Sequence, residues 1–185
     1  MIAEKFELQQ NVNAQVVRNR QESDDLELKG RFQVEHWRDG ELLGKYDFPN
    51  GITNVGKNLL LDVMFNGGTQ VANNSWFVGL IDLTSYSALA ASDIMSSHGG
   101  WVEFTSYTQS TRVAWGSGAA SGQQVINASS AVFDINGSGT VKGIFVNTVS
   151  TKSGTTGTLW TTGLFNADVV VTSGDQIKIT YGVAA

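Results

Sequence analysis

The sequence predicts a mainly β fold: an antiparallel β-sandwich or jelly roll, with one short helix at about residues 54–65 and an extended N-terminal arm. Short segments of β-forming apolar residues recur along the chain, and clusters of Gly, Ser and Asn separate them. Five Trp, four Tyr and nine Phe are spread along it, which argues against disorder. Many short strands with a single helix are typical of both architectures, and their spacing does not separate the two.

Charge divides the chain into two parts. Eight of the twelve Lys and Arg residues and eleven of the seventeen Asp and Glu residues lie in residues 1–62. The 185 residues suffice for one domain with an appended segment, which we place at 26–185 (the β-sandwich domain) and 1–25 (the arm). The net charge of −5 argues against a nucleic-acid partner, because a phosphate-binding protein carries a basic face.

The arm is the least periodic part of the sequence. Its apolar residues are scattered among Gln, Asn, Arg and Glu, and it ends in an acidic run at residues 22–25. Such a composition is typical of a solvated chain terminus. The alternative is an arm that becomes ordered on a neighbouring molecule.

A β-hairpin is predicted next. Leu26, Leu28, Phe32 and Val34 alternate with charged or polar residues, which places the apolar side chains on one face of a strand. Asp39-Gly40 then gives a strong short-range hairpin signal. On the returning strand, we expect the inner face to carry Leu42, Gly44, Tyr46 and Phe48.

The helix follows Pro49, which ends the second strand. Thr53 or Asn54 can cap it, and residues 66–68 (NGG) supply a left-handed stop. Its apolar face is expected to cover one end of the sheet structure. The remaining strands are predicted at 76–81, 101–104, 112–115, 123–127, 131–135, 140–149, 158–171 (one strand or two) and 175–183.

Catalytic signals are weak in this sequence. There is no cysteine, which excludes a thiol nucleophile, and no zinc-protease or calcium-loop motif occurs. His98, with Asp93 or Glu103, could belong to a hydrolase triad, but sequence adjacency supports such a triad little. The other alternative is a pair of carboxylates for glycoside hydrolysis, which could come from Asp82, Asp93, Glu103, Asp134, Asp168 and Asp175. Several of these acids flank turn glycines, where Asp is common. We therefore expect no enzyme activity, no metal and no cofactor.

Five segments together resemble a family of small β-rich virion proteins of tailed bacteriophages, which are often described as capsid decoration, cement or simply structural proteins. The resemblance covers roughly residues 31–183 and leaves the arm unmatched. It carries structural signatures and no active-site motif. The segments are 49–62 (PNGITNVGKNLLLD), 76–82 (WFVGLID), 92–103 (SDIMSSHGGWVE), 139–146 (GTVKGIFV) and 173–183 (SGDQIKITYGV).

The resemblance implies a virion structural protein that binds the outer surface of a phage capsid and stabilises it. Its partner would be the major capsid protein. The β-sandwich domain, residues 26–185 (the body), would form a homo-oligomer, a dimer or trimer, at a symmetry axis. We expect attachment partly through the arm, which would lie on an exposed capsid strand. The arm residues predicted to bind the capsid are Phe6, Leu8, Val12, Val16, Val17, Arg18 and Arg20.

The sequence also predicts where the protein is made and where it acts. The first residues are charged and lack the apolar stretch of a secretory signal, so we expect synthesis in the host cytoplasm and assembly on the capsid exterior. No apolar run approaches the ~20 residues of a membrane span, so no membrane partner is expected. The alternative function is a tail-fibre or receptor-binding module that recognises host-surface glycan or protein.

Overall fold

The computed structural model describes residues 27–185, which form two antiparallel β-sheets and one helix. In chain order the elements are β1 (Lys29–Arg38), β2 (Glu41–Pro49), β3 (Gly51–Ile52), α1 (Asn54–Phe65), β4 (Phe77–Asp82), β5 (Val102–Phe104), β6 (Val113–Ala114), β7 (Gln124–Ile126), β8 (Ala131–Asp134), β9 (Gly139–Asn147), β10 (Leu159–Val171) and β11 (Gln176–Ala184).

The strands pair into two sheets. Sheet A has the order β2-β1-β11-β7, and β8 also pairs with β11. Sheet B has the order β3-β10-β9-β4-β5, and β6 also pairs with β4. The prediction of a mainly β, antiparallel sandwich with one helix is confirmed. Each predicted strand is present, and the segment at 158–171 is a single strand, β10, whose register with β9 shifts between Leu164 and Val169.

Within the described residues, the first hairpin forms as predicted, except at one position; Leu26 lies outside them. Asp39 (φ 50°) and Gly40 (φ 82°) both have positive φ, as a two-residue turn that follows strand twist requires. Phe48 pairs with Phe32, and both lie in the core. The prediction that Leu42 lies on the inner face is wrong. The register shifts beside Trp37, so Leu42 falls on the outer face and is 40% exposed.

The main core lies between the two sheets. Sheet A contributes Phe32, Phe133 and Tyr181, all fully buried. Sheet B contributes Leu80 and Ile144, also fully buried. Alternation along β1 and β11 follows from this arrangement, because only one face of sheet A is covered.

The outer face of sheet B is covered as well. The long connection between β4 and β5 folds over it and buries Met95 and Trp101 against Phe145. Because both of its faces are covered, β4 is apolar and buried at successive positions, with no alternation.

The helix α1 begins and ends where the sequence predicts. The Thr53 hydroxyl accepts a hydrogen bond from the Gly56 amide (3.0 Å), and the amides of Asn66 and Gly68 both donate to the Asp62 carbonyl. Its apolar face covers the end of the sandwich only in part, since Gly56 is its only buried residue. No helix in residues 27–185 combines the length and hydrophobicity needed to cross a membrane.

Candidate functional site

The arm residues predicted to bind a partner lie outside the described residues, so their role stays a prediction. The described chain begins at Glu27 and Leu28; Glu27 borders one open surface, and Leu28 borders that surface and a second one. One surface is an apolar groove beside α1, and the other is a polar trough on the outer face of sheet A. Together they form the candidate binding region of the body.

The apolar groove lies between α1 and the end of the sandwich, and has a volume of about 360 Å³. Helix α1 forms one side through Leu60, Val63 and Met64. All residues that line the groove are apolar except Gln70 and Ser117. Three indole rings contribute to it, and Trp76 contacts both Trp115 and Trp160 edge to face.

The strand side of the groove is apolar because its polar groups are bonded inward. The Trp115 indole N–H donates to the Tyr181 carbonyl (3.0 Å), and the Trp160 indole N–H donates to the Tyr181 hydroxyl (2.9 Å). Burial raises the pKa of the Tyr181 hydroxyl well above its usual value, so it remains a neutral hydrogen-bonding group. Leu28, Val125 and Val183 complete this side.

Helix α1 stays apolar beyond the groove. Met64 is 64% exposed and Phe65 81% exposed, and Leu61 is also exposed one turn earlier. Residues three and four apart share a helix face, so these three side chains form one continuous apolar patch beside the groove. A contiguous apolar surface of this kind is typical of a site that another segment or molecule covers.

The packing of the first turn of α1 against β10 explains why the groove exists. Gly56 lies against the backbone of Trp160, and a Cβ at this position would lie 2.5 Å from the Trp160 carbonyl oxygen. The helix start is fixed further by hydrogen bonds from the amides of Thr53 and Asn54 to the carbonyls of Trp160 and Ala91. The first turn is therefore held against β10, while the later turns stay half-buried or exposed. The groove is the space that remains beneath those later turns.

The polar trough lies on the outer face of sheet A and has a volume of about 630 Å³. It forms because Gly182 and Ala184 of β11 bring almost no side chain to that face. These two residues pair with Arg31 and Lys29 of β1. Arg31 forms an exposed ion pair with Asp47, so part of the charge beside the trough is already neutralised.

Asp175 is the centre of the first buried polar cluster. Arg38 donates to both of its carboxylate oxygens (2.6 and 2.9 Å), His36 Nε2 donates at 2.8 Å, and the Thr172 amide donates at 3.0 Å. The Arg38 guanidinium, with help from Thr172 and His36, holds the pKa of this carboxyl well below its usual range. The cluster joins the β1–β2 hairpin to the β10–β11 turn.

Arg112 and Glu103 form a second buried cluster, with side chains 0% and 5% exposed. Arg112 binds Glu103 through two hydrogen bonds (3.0 and 2.8 Å) and also donates to the carbonyls of Val149 and Gly154. The Ser153 amide donates to Glu103 at 2.7 Å. This pair therefore holds the loop between β9 and β10.

The structure does not bring the proposed triad residues into a triad. His98 stacks on Trp101, and its Nδ1 donates to the Trp101 carbonyl at 3.0 Å. Asp93 accepts the Trp101 indole N–H (3.0 Å) and the Ala90 amide (3.0 Å), while Glu103 binds Arg112. Each group is thus engaged in holding a loop.

The other candidate acids are also engaged in local structure. Asp82 accepts the Thr84 amide, Asp134 accepts the side-chain amides of Gln109 and Gln176, and Asp168 binds Lys142. Within residues 27–185, no three His, Asp or Glu side chains are grouped so that they could hold a metal ion.

Sequence reasoning missed the groove and both buried clusters. Three separate segments bring Trp76, Trp115 and Trp160 together, and no sequence period links them. The one available signal was the amphipathic helix, whose apolar residues outnumber those that the sandwich buries. Among known proteins, no family model matches this chain, and no curated protein matches it significantly.

Proposed function

We propose that this protein is a virion structural protein that binds the outer surface of a phage capsid and stabilises it, with attachment partly through the N-terminal arm. The resemblance of residues 31–183 to capsid decoration proteins supports this function. The observation that carries the structural part is the position of Glu27 and Leu28. The arm joins the body beside both the apolar groove and the polar trough.

The chemistry of the body favours binding over catalysis. Asp93, Glu103 and Asp175 each accept several hydrogen bonds from neighbouring loops or strands, so their charges are committed to holding the fold. The open surfaces are instead an apolar groove and a shallow trough on a sheet. These features suit contact with another protein surface.

The stabilisation of a capsid by many bound copies is additive. A protein that binds only the expanded shell stabilises that shell by its binding free energy at every site, and icosahedral symmetry repeats the contact many times. An arm that pairs with an exposed capsid strand adds main-chain hydrogen bonds to the contact. A dimer or trimer of the body on a symmetry axis would raise the avidity of each arm.

Binding to emptied, expanded phage heads tests this function. Purified protein should cosediment with the heads and raise the temperature at which they are disrupted. A chain without residues 1–25 should lose most of this binding while its circular dichroism remains that of the folded body. Heads that neither bind the full-length protein nor change in stability would contradict the proposal.

A matched pair of arm variants sharpens this experiment. Replacement of Phe6 and Leu8 by Ala removes two large apolar side chains from the arm, whereas replacement of Gln9 and Gln10 by Ala changes neighbouring polar residues. We expect the first variant to bind heads at least about tenfold more weakly, a loss equivalent to one apolar contact, and the second to bind like the unmodified protein. Equal binding by both variants would refute a role for the apolar arm residues.

A further inference from the structure

The apolar groove beside α1 offers a binding surface for an apolar segment. Its lining is almost entirely apolar, and Met64 and Phe65 extend that surface onto the exposed side of the helix. Burial of such side chains is favourable at roughly 25 cal/mol per Å² of apolar surface. An occupant with apolar side chains would therefore gain free energy here.

The position of Leu28 indicates which segment could occupy the groove. Leu28 itself lines the groove, so the twenty-six residues that precede Glu27 begin at its rim. Ten extended residues span at most about 33–36 Å, so the stretch between Val17 and Glu27 suffices to reach out and return to the groove. A segment tethered this closely has an effective concentration in the millimolar range, which favours it over a free partner.

The composition of the preceding segment selects residues 12–17. Val12, Ala14 and Val16 alternate with Asn13 and Gln15, so one side of an extended segment would be apolar. The residues between this segment and the body are polar or charged up to Leu26 and include Arg18 and Arg20, which suits an exposed connection. We propose that residues 12–17 dock in the groove of their own chain, against Met64 and Trp160.

This inference concerns the free protein and goes beyond its attachment to a capsid. In the free protein, docking would bury Val12 and Val16 and would leave Phe6 and Leu8, nearer the terminus, for the first contact with a partner. Val12 and Val16 would bind the capsid only after they leave the groove. It would also set the direction in which the first residues leave the body. The groove would thus hold the base of the arm in a defined position.

Disulfide trapping tests the inference directly, because the chain contains no cysteine. The test protein carries Val16→Cys and Met64→Cys, and its matched control carries Val16→Cys and Val170→Cys. Met64 (64% exposed) and Val170 (63% exposed) are equally accessible, but only Met64 lines the groove. In dilute, mildly oxidising buffer we expect the test pair to form an intrachain disulfide about tenfold faster than the control pair.

Two results would overturn the proposal. Equal rates for the two cysteine pairs would show that the segment has no preference for the groove. A test pair that forms mainly disulfide-linked dimers would show that a second copy supplies the occupant.

Tryptophan fluorescence gives a second readout that needs no cysteine. Val16→Asp should expose the groove and shift the tryptophan emission to longer wavelength, since Trp76 and Trp160 line it. Gln10→Asp adds the same charge to the same arm and should leave the emission unchanged. Identical spectra for the two variants would also contradict docking of residues 12–17.

Discussion

The guanidinium of Arg38 binds both carboxylate oxygens of Asp175, a residue 137 positions later in the chain, at 2.6 and 2.9 Å. This relationship joins the end of the first hairpin to the turn that precedes β11. The Asp175 side chain is fully buried, whereas Arg38 remains 40% exposed. The pair therefore combines a desolvated acceptor with a partly solvated donor.

Replacement of Asp175 by Asn should destabilise the fold by about 2 kcal/mol at neutral pH. Removal of one member of a fully buried ion pair typically costs about 3–5 kcal/mol, and the exposure of Arg38 reduces that figure here. Urea denaturation measures the change. As the control, Asp47→Asn removes the partner of Arg31 in an exposed pair and should cost about 0.5 kcal/mol or less. Equal losses for the two variants would contradict this account.

The lowered pKa of Asp175 also predicts how the stability of the protein depends on pH. The pKa of Asp175 is lower in the folded protein than its ordinary value of 3.8, so its contribution is complete above that value and is lost as the pH falls towards the folded-state pKa. The free energy of unfolding should therefore fall below about pH 4. Asp175→Asn should show a shallower fall over that range in urea titrations at successive pH values. An unchanged slope would exclude Asp175 as its source.

Arg112→Met should destabilise the protein by about 3–5 kcal/mol, since it leaves the Glu103 carboxylate buried without its ion-pair partner. The double variant Arg112→Met with Glu103→Leu should also be less stable than the unmodified protein, because other groups lose their hydrogen-bond partners. Arg112 also satisfies the carbonyls of Val149 and Gly154, and Glu103 satisfies the Ser153 amide. Each such group left unpaired costs about 1–3 kcal/mol. A double variant within about 1 kcal/mol of the unmodified protein would show that the loop finds other partners.

Gly56→Ala should destabilise the protein although Ala favours helix formation over Gly by about 1 kcal/mol. The added Cβ would lie 2.5 Å from the Trp160 carbonyl oxygen, so the helix must move away from β10. We expect a net loss of about 1–2 kcal/mol in thermal or urea unfolding. Asn58→Ala, at an exposed position of the same helix, should be neutral or slightly stabilising. Stabilisation by both substitutions would disprove the tight contact at Gly56.

Local sequence signals predicted the parts of the fold that local chemistry determines. Asp39-Gly40 specified the hairpin turn, and Thr53 with Asn66 and Gly67 specified the ends of α1. The bulge that turns Leu42 outward was not predictable, because register depends on the partner strand. Strand spacing likewise could not separate a sandwich from a jelly roll.

Contacts between distant segments could not be predicted in the same way. Nothing near Glu103 in the sequence shows that Arg112 will bind it while holding a loop some forty residues further on. The groove likewise depends on how far α1 extends beyond its contact with β10. Only the excess of apolar residues on that helix indicated that part of its surface needs a partner.

The number of copies per virion tests the central claim most directly. Purified particles can be analysed by quantitative mass spectrometry against the major capsid protein as the internal reference. A capsid decoration protein that occupies symmetry-related sites should be present in hundreds of copies. A count of about a dozen or fewer, which is the stoichiometry of tail structures, or absence from the particle would contradict the account.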